Sequence, residues 1–279
     1  MADIIPDSHG WYSIKGDPNH EVIQSLRAVG HIDKLSITQT RLITVDIAKR
    51  LCRIHSVRQL WLWCDVTRTA MRHILRIAGL EILDILNIKS PGTLAGFDLA
   101  TSLHTVRANH YLKEQDIIEI SKCLTIQELG IQGAELTLAA IDTLLSLKRL
   151  KSLDVEGTSF DDQMAQRVST STVLESLEIG GTKITRNGLR HLVSMKQLRS
   201  LDLWATNLVE DDFDLLRQLP ALEYISIGGY AHLPSLDSKK IVPLLLSLPA
   251  LKRVWLDGVS ITKLERDALQ NKLEQLRIT

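Results

Sequence analysis

The sequence predicts an α/β solenoid of about eleven strands, with a parallel sheet on a concave inner side and helices on a convex outer side. Three observations carry this reading. Leucine makes up about a sixth of the 279 residues, while aromatic residues reach only 4 %. One pattern, Leu-x-x-Leu-x-Leu with Ile, Val or once Ala standing in for Leu, begins at Ile32, Val57, Leu80, Leu103, Ile126, Leu150, Leu174, Leu198, Leu222, Leu251 and Leu273. The intervals are 25, 23, 23, 23, 24, 24, 24, 24, 29 and 22, a period held across almost the whole chain.

Each copy alternates apolar residues at its fourth and sixth positions, which turns one side of a short strand inward. A stretch with helical spacing follows, as in Leu138, Ile141, Leu144 and Leu145, or Leu189, Leu192 and Met195. A strand, turn and helix of this size cannot bury its own apolar side, so neighbours must stack. Eleven strands at about 4.8 Å spacing give an inner surface on the order of 50 Å long. Residues 31–279 therefore read as one solenoid domain, because its core grows by addition. Residues 1–30 lack the repeat and read as an N-terminal cap, with Asp17-Pro18 predicting a helix start and the segment to Val29 covering the first repeat's open core. The long ninth repeat predicts an inserted loop near residues 228–240.

The best copies are Leu174-Glu-Ser-Leu-Glu-Ile-Gly-Gly-Thr-Lys-Ile-Thr185 and Leu198-Arg-Ser-Leu-Asp-Leu-Trp-Ala-Thr-Asn-Leu208. This pattern resembles the leucine-rich repeat family over about residues 31–279, and the Thr-x-Ile-Thr version is similar to its bacterial branch. The family often places Asn at the ninth position to bond the turning backbone. Here Thr40, Thr158, Thr182 and Thr206 take that place, and a Thr hydroxyl can serve in the same way.

Lys+Arg and Asp+Glu both stand at 33, which removes a global electrostatic argument for nucleic-acid or membrane-surface binding. Cys52, Cys64 and Cys123 are odd in number and match no metal or redox spacing, so a reducing compartment is expected. The N-terminal residues carry no secretory pattern, and no apolar run approaches the roughly 20 residues of a membrane span. The chain reads as cytoplasmic.

Catalytic signals are weak. Nine histidines are scattered, and no phosphate-cradling Gly-rich loop is present. Cys64-Asp65 invites comparison with the cysteine ligase domains that some bacterial leucine-rich proteins carry, but it lies inside a repeat and reads as structural. The expectation is a non-enzyme without metal or cofactor.

With the fourth and sixth positions inward, the third, fifth and seventh must point out of the concave side. That exposes Gln59, Trp61 and Trp63, then Asp202 and Trp204, Tyr224, and Arg253, Trp255 and Asp257, so four of the five tryptophans face outward. Rings laid flat across neighbouring strands would stiffen the sheet. Exposed Trp and Tyr are also the types enriched at binding hot spots. From Asp84 to Asp202 the outward charges are Asp84, Glu128, Asp154, Glu156, Glu178 and Asp202 against Arg107. Residues 126–230 hold 15 acids and 10 bases, net −5, whereas residues 1–125 hold 13 and 15, net +2. Tyr230 in the insertion completes the candidate set.

An opposite signal lies on the outer side, where Lys49, Arg50, Arg53, Arg68, Arg72 and Arg76 fall in the first two helical segments. Without interleaved aromatics it reads as a solvated face rather than a nucleic-acid site. The expected function is binding of a protein, basic where it docks, on the acidic, Trp-bearing surface. One version is an inhibitor or immunity protein against a toxin, since the surface is similar to that of repeat-built inhibitors of basic nucleases. The alternatives are an effector or adaptor that recruits a host or regulatory protein and, further off, nucleic-acid binding through the basic helices.

Overall fold

The computed structural model describes residues 5–86, 90, 92–108, 111–229 and 236–279. These divide into two compact units, the first comprising the chain to Glu135 with Ser146–Leu150, the second Leu136–Leu145 with Lys151–Thr279. The insertion core and its Tyr230 lie outside the described residues.

In the first unit, β1 (Trp11–Lys15), β2 (His31–Thr38), β4 (Ser56–Trp63), β6 (Ile82–Leu86), β7 (Thr105–Ala108) and β8 (Glu128–Gly130) pair in parallel in that order. Two short strands, β3 (Leu42–Ile43) and β5 (Asp65–Val66), pair beside them. The helices are α1 (His20–Val29), α2 (Val45–Leu51), α3 (Arg68–Ile74) and α4 (Glu114–Ile120), with a 3-10 turn at Phe97–Leu99. The second unit repeats the scheme with β9 (Ser152–Asp154), β10 (Ser176–Glu178), β11 (Ser200–Asp202), β12 (Tyr224–Gly228), β13 (Arg253–Asp257) and β14 (Gln275–Ile278). Its helices are α5 (Leu138–Leu144), α6 (Asp162–Val168), α7 (Arg186–Leu192), α8 (Ser238–Ser247) and α9 (Lys263–Lys272), with a 3-10 segment at Glu210–Gln218.

Strand alternation follows the apolar pattern. Leu60 and Leu62, Leu83 and Ile85, Leu177 and Ile179, and Ile225 and Ile227 at fourth and sixth positions are fully buried. Burying a Leu or Ile side chain of this kind contributes about 1.5–3 kcal/mol, which makes a one-residue slip of any strand prohibitive.

The Thr-x-Ile-Thr motif has a direct physical meaning. The first Thr is buried and bonds the turn, with Thr158, Thr182 and Thr206 donating to the carbonyls of Val155, Ile179 and Leu203 at 2.7, 2.6 and 2.8 Å. Thr40 differs, donating to Gly16 in the preceding turn at 2.6 Å. The second Thr is a helix N-cap, as Thr44, Thr67, Thr137, Thr185 and Thr262 cap α2, α3, α5, α7 and α9. Ile184 between the two threonines of its motif is fully buried.

Three expectations change. Among the described residues twelve strands share the repeat register rather than eleven, because residues 1–30 contain β1 as well as α1. In this register Tyr12 pairs with Leu35 and Ile14 with Ile37, so Tyr12 occupies a fourth position and His9 a first position, and these two departures concealed the copy. The first helix starts at His20 with Asn19 as its cap, whose side chain accepts from Val22 at 2.9 Å, not at Asp17-Pro18. The basic stripe is also broken, since α3 ends at Ile74 before Arg76 and α2 ends at Leu51 before Arg53.

Candidate functional site

The outward positions were the sequence-derived site, and each unit carries its own version. In the first unit the centre is aromatic. Trp61 and Trp63 lie two apart on β4, their ring centroids 6.1 Å apart at 78°. Trp61 also meets Trp11 edge to face, at 5.5 Å and 63°. Trp11 belongs to β1 and Trp61 to β4, so both rings lean over the intervening β2. Its Ser36, register partner of Trp61, is small and almost fully buried, which leaves room for them. Trp63 remains 48 % exposed. The Trp61 indole nitrogen is buried and has no hydrogen-bond partner among the described residues. Lys34 stands 5.9 Å from the Trp11 ring centroid. The sequence reading placed Trp61 and Trp63 correctly on this side and missed Trp11, since β1 went unrecognised.

The charged candidates of this unit are tied to one another. Asp84 is only 8 % exposed and accepts from Gln59 at 2.8 Å and from Arg107 at 3.0 Å. Arg107 reaches Glu128 as well, at 3.5 Å. Asp84 is therefore a buried, paired carboxylate, not an open surface acid. Arg107 offsets it, and the expected run of six acids to one base does not extend as open charge into this unit.

In the second unit the acids do gather. Asp154, Glu178 and Asp202 are register partners on β9, β10 and β11, with Glu156 two residues past Asp154. Burial, then the charges of Asp154 and Asp202, hold the Glu156 carboxyl above its usual range. Burial above all raises that of Asp202, with the charge of Asp154 adding to it. Gly180 makes this crowding possible. A Cβ there would lie 3.3 Å from Asp202 Oδ1 and 3.4 Å from Glu156 Cγ.

Beside the acids lie three aromatic residues. The Trp204 indole N–H donates to Asp257 Oδ2 at 2.6 Å, reaching from the turn after β11 to the end of β13 past β12. It can do so because Gly228 sits between them. A Cβ on Gly228 would fall 1.9 Å from the Asp257 carbonyl oxygen, and its φ of +106° suits glycine. Thr279 Oγ1 also donates to Asp257, and these two bonds, Thr279's foremost, lower its pKa. Trp255 donates to Thr279 at 3.0 Å and carries Arg277 4.3 Å above its ring, while Arg253 stands 5.4 Å from the Tyr224 ring centroid. Burial raises the Tyr224 phenol, as does the charge of Asp202.

Sequence reasoning also missed a ladder at the second repeat position. In the first unit Arg58 pairs with Asp33 and Glu81, and Glu81 with His104. In the second, Lys151–Glu175–Arg199–Glu223–Lys252 alternate in sign through contacts of 3.2, 3.9, 2.5 and 3.0 Å. The signal was the alternation itself, read one residue before each outward triplet.

Cys64 is buried, and burial, with Asp65 adding to it, pushes its thiol up to about 12, so a thiolate nucleophile is disfavoured there. Among the described residues no group of three or more His, Cys, Asp or Glu is placed to hold a metal ion, and no helix is long and apolar enough to cross a membrane. On the outer side Arg68 pairs with Glu119 at 3.5 Å and Arg50 donates to the Pro18 carbonyl, so the basic stripe is partly spent on internal contacts.

No family model and no curated protein matches the sequence. Solved structures do match. An internalin, InlF, from Listeria monocytogenes str. 4b F2365 superposes with a TM-score of 0.56 at 16 % identity, covering 97 % of this chain and 82 % of its own. TLR13, in its complex with ssRNA13, superposes at 0.52 and 14 %, covering 96 % of this chain and 39 % of its own. Both are leucine-rich repeat proteins. The chain has a leucine-rich repeat fold. The apolar core sets the strand positions, and the outward triplets differ in residue type from one repeat to the next.

Proposed function

We propose that this leucine-rich repeat chain is a non-catalytic binding protein whose strand faces dock a protein that is basic where it meets the second unit. The observation that carries the reading is the convergence of Asp154, Glu156, Glu178 and Asp202 beside Trp204 and Tyr224, where burial and mutual repulsion hold two carboxyls above their usual range. A basic partner relieves that repulsion, and the half-buried Trp204 and Tyr224 rings supply contact area at low entropic cost. In the first unit the Trp11, Trp61 and Trp63 cluster, with Trp63 half exposed, is the corresponding anchor. An inhibitor or immunity role against a basic toxin fits this surface best, ahead of an effector or adaptor role. Nucleic-acid binding by the outer helices is disfavoured by the internal pairing of Arg50 and Arg68.

A photo-crosslinking residue placed at Trp63 or at Glu178 tests the reading in cells of the source, with Gln166, exposed on α6, as control. Capture of a discrete protein from either strand position and none from Gln166 is expected. The captured protein, once purified, should lose about 2 kcal/mol of affinity for the Trp63→Ala chain, as truncated hot spots do. Equal capture from Gln166, or unchanged affinity, contradicts it.

A further inference from the structure

The outward positions of the second unit change sign along the strand order. Those of β9, β10 and β11 carry Asp154, Glu156, Glu178 and Asp202 and no base. Those of β13 and β14 carry Arg253 and Arg277, both exposed, with Asp257 the one acid. The Asp257 carboxylate is engaged by Trp204 and Thr279, each at 2.6 Å, and lies within the field of Arg277 without a direct ion pair to it. Neither arginine is ion-paired among the described residues, and each instead stands over an aromatic ring, Arg253 5.4 Å from the centroid of Tyr224 and Arg277 4.3 Å from that of Trp255. A guanidinium laid on a ring keeps its planar fork of donors oriented at little further entropic cost, the geometry that suits a carboxylate.

We propose that Arg253 and Arg277 receive an acidic group of the same partner protein whose basic group docks over β9–β11, so that the partner's docking surface is bipolar. This rests on the proposed function and adds the partner's second charge and its orientation. From Glu178 on β10 to Arg253 on β13 is three strand steps, and to Arg277 on β14 four, or about 14–19 Å at 4.8 Å per step. A helix bridges that span in about 9–13 residues at 1.5 Å each. The aromatic residues between the two ends supply the apolar middle. Reversal of the partner would set acid on acid and arginine on base, so the gradient fixes one orientation.

Three fluorescent alanine-based helical peptides of about 16 residues test this against the full chain by anisotropy at low salt. One carries glutamates at its N-terminal end and lysines at its C-terminal end, one has the same residues alternating, and one carries lysines only. The block peptide should bind about five-fold or more tightly than the alternating one. Arg253→Gln with Arg277→Gln should abolish that preference while the lysine-only peptide binds no more weakly, since two nearby positive charges are removed, with circular dichroism confirming the fold. If the lysine-only peptide binds as tightly as the block peptide, or the glutamine variant keeps the preference, the bipolar proposal is overturned and the basic-partner reading stands. Failure of all three peptides to bind overturns both.

Discussion

Leu62 and Trp63 are neighbours on β4 with opposite fates, the first fully buried and the second 48 % exposed. Replacing Leu62 with Ala removes three buried heavy atoms from a strand whose sixth-position neighbours Ile37 and Ile85 are also fully buried and in register with it. Backbone strands on both sides limit collapse of the space, so the cost should fall in the 2–5 kcal/mol range of buried Leu→Ala changes. Replacing Trp63 with Arg instead leaves a long side chain able to lie against the Trp61 ring with its charge in water, and should cost less than about 1 kcal/mol. In a thermal melt followed by far-UV circular dichroism the first change should lower Tm by roughly 4–15 °C and the second by about 3 °C or less. If Trp63→Arg proves as damaging as Leu62→Ala, the inside-outside assignment on which the whole site rests is wrong.

Gly228→Ala should destabilise by about 3 kcal/mol or more, because its Cβ would sit 1.9 Å from a backbone oxygen at φ +106°. Gly181→Ala, at φ +64° with nothing nearer than 3.8 Å, should cost only about 1 kcal/mol, as urea titrations of the two variants side by side would show. Glu156→Gln should raise Tm at pH 7.5. The folded-state pKa is raised, so the ionised carboxyl penalises the fold above it, and the gain should fade as pH falls through that pKa toward the usual 4.5, as melts across pH would show. Glu223→Lys would place a base between Arg199 and Lys252 and should lower Tm at low salt, the deficit shrinking in high salt if the ladder is electrostatic.

The strand register was legible because its cause is local. Apolar residues at the fourth and sixth positions of every copy have one way to sit on a core, and that alone placed Trp61, Trp204 and Trp255 outward. β1 was hidden because His9 and Tyr12 fill its first and fourth positions with a polar and an aromatic residue, and with it went Trp11, whose place beside Trp61 depends on pairing across two strands. Pairing also decided the charges. Asp84 and Glu178 are both acids at a fifth position, yet Asp84 faces Arg107 across one strand step while Glu178 lies between two more acids. Small residues set the long reaches: Gly228 lets Trp204 bond Asp257 two strands away, a contact spanning 53 residues that no periodicity reveals.

The central claim is that the acids of the second unit's strand face steer a basic protein partner. Asp154, Glu178 and Asp202 come from successive strands about 4.8 Å apart, within a Debye length of about 8 Å at physiological salt, so their fields add. Stopped-flow association of the crosslink-identified partner with the native chain and with the Asp154→Lys, Glu156→Lys, Glu178→Lys, Asp202→Lys variant, at low and high salt, measures this directly. The account predicts association slowed by about ten-fold or more at low salt and a difference that narrows in high salt. An association rate indifferent to both the substitutions and the salt would contradict it.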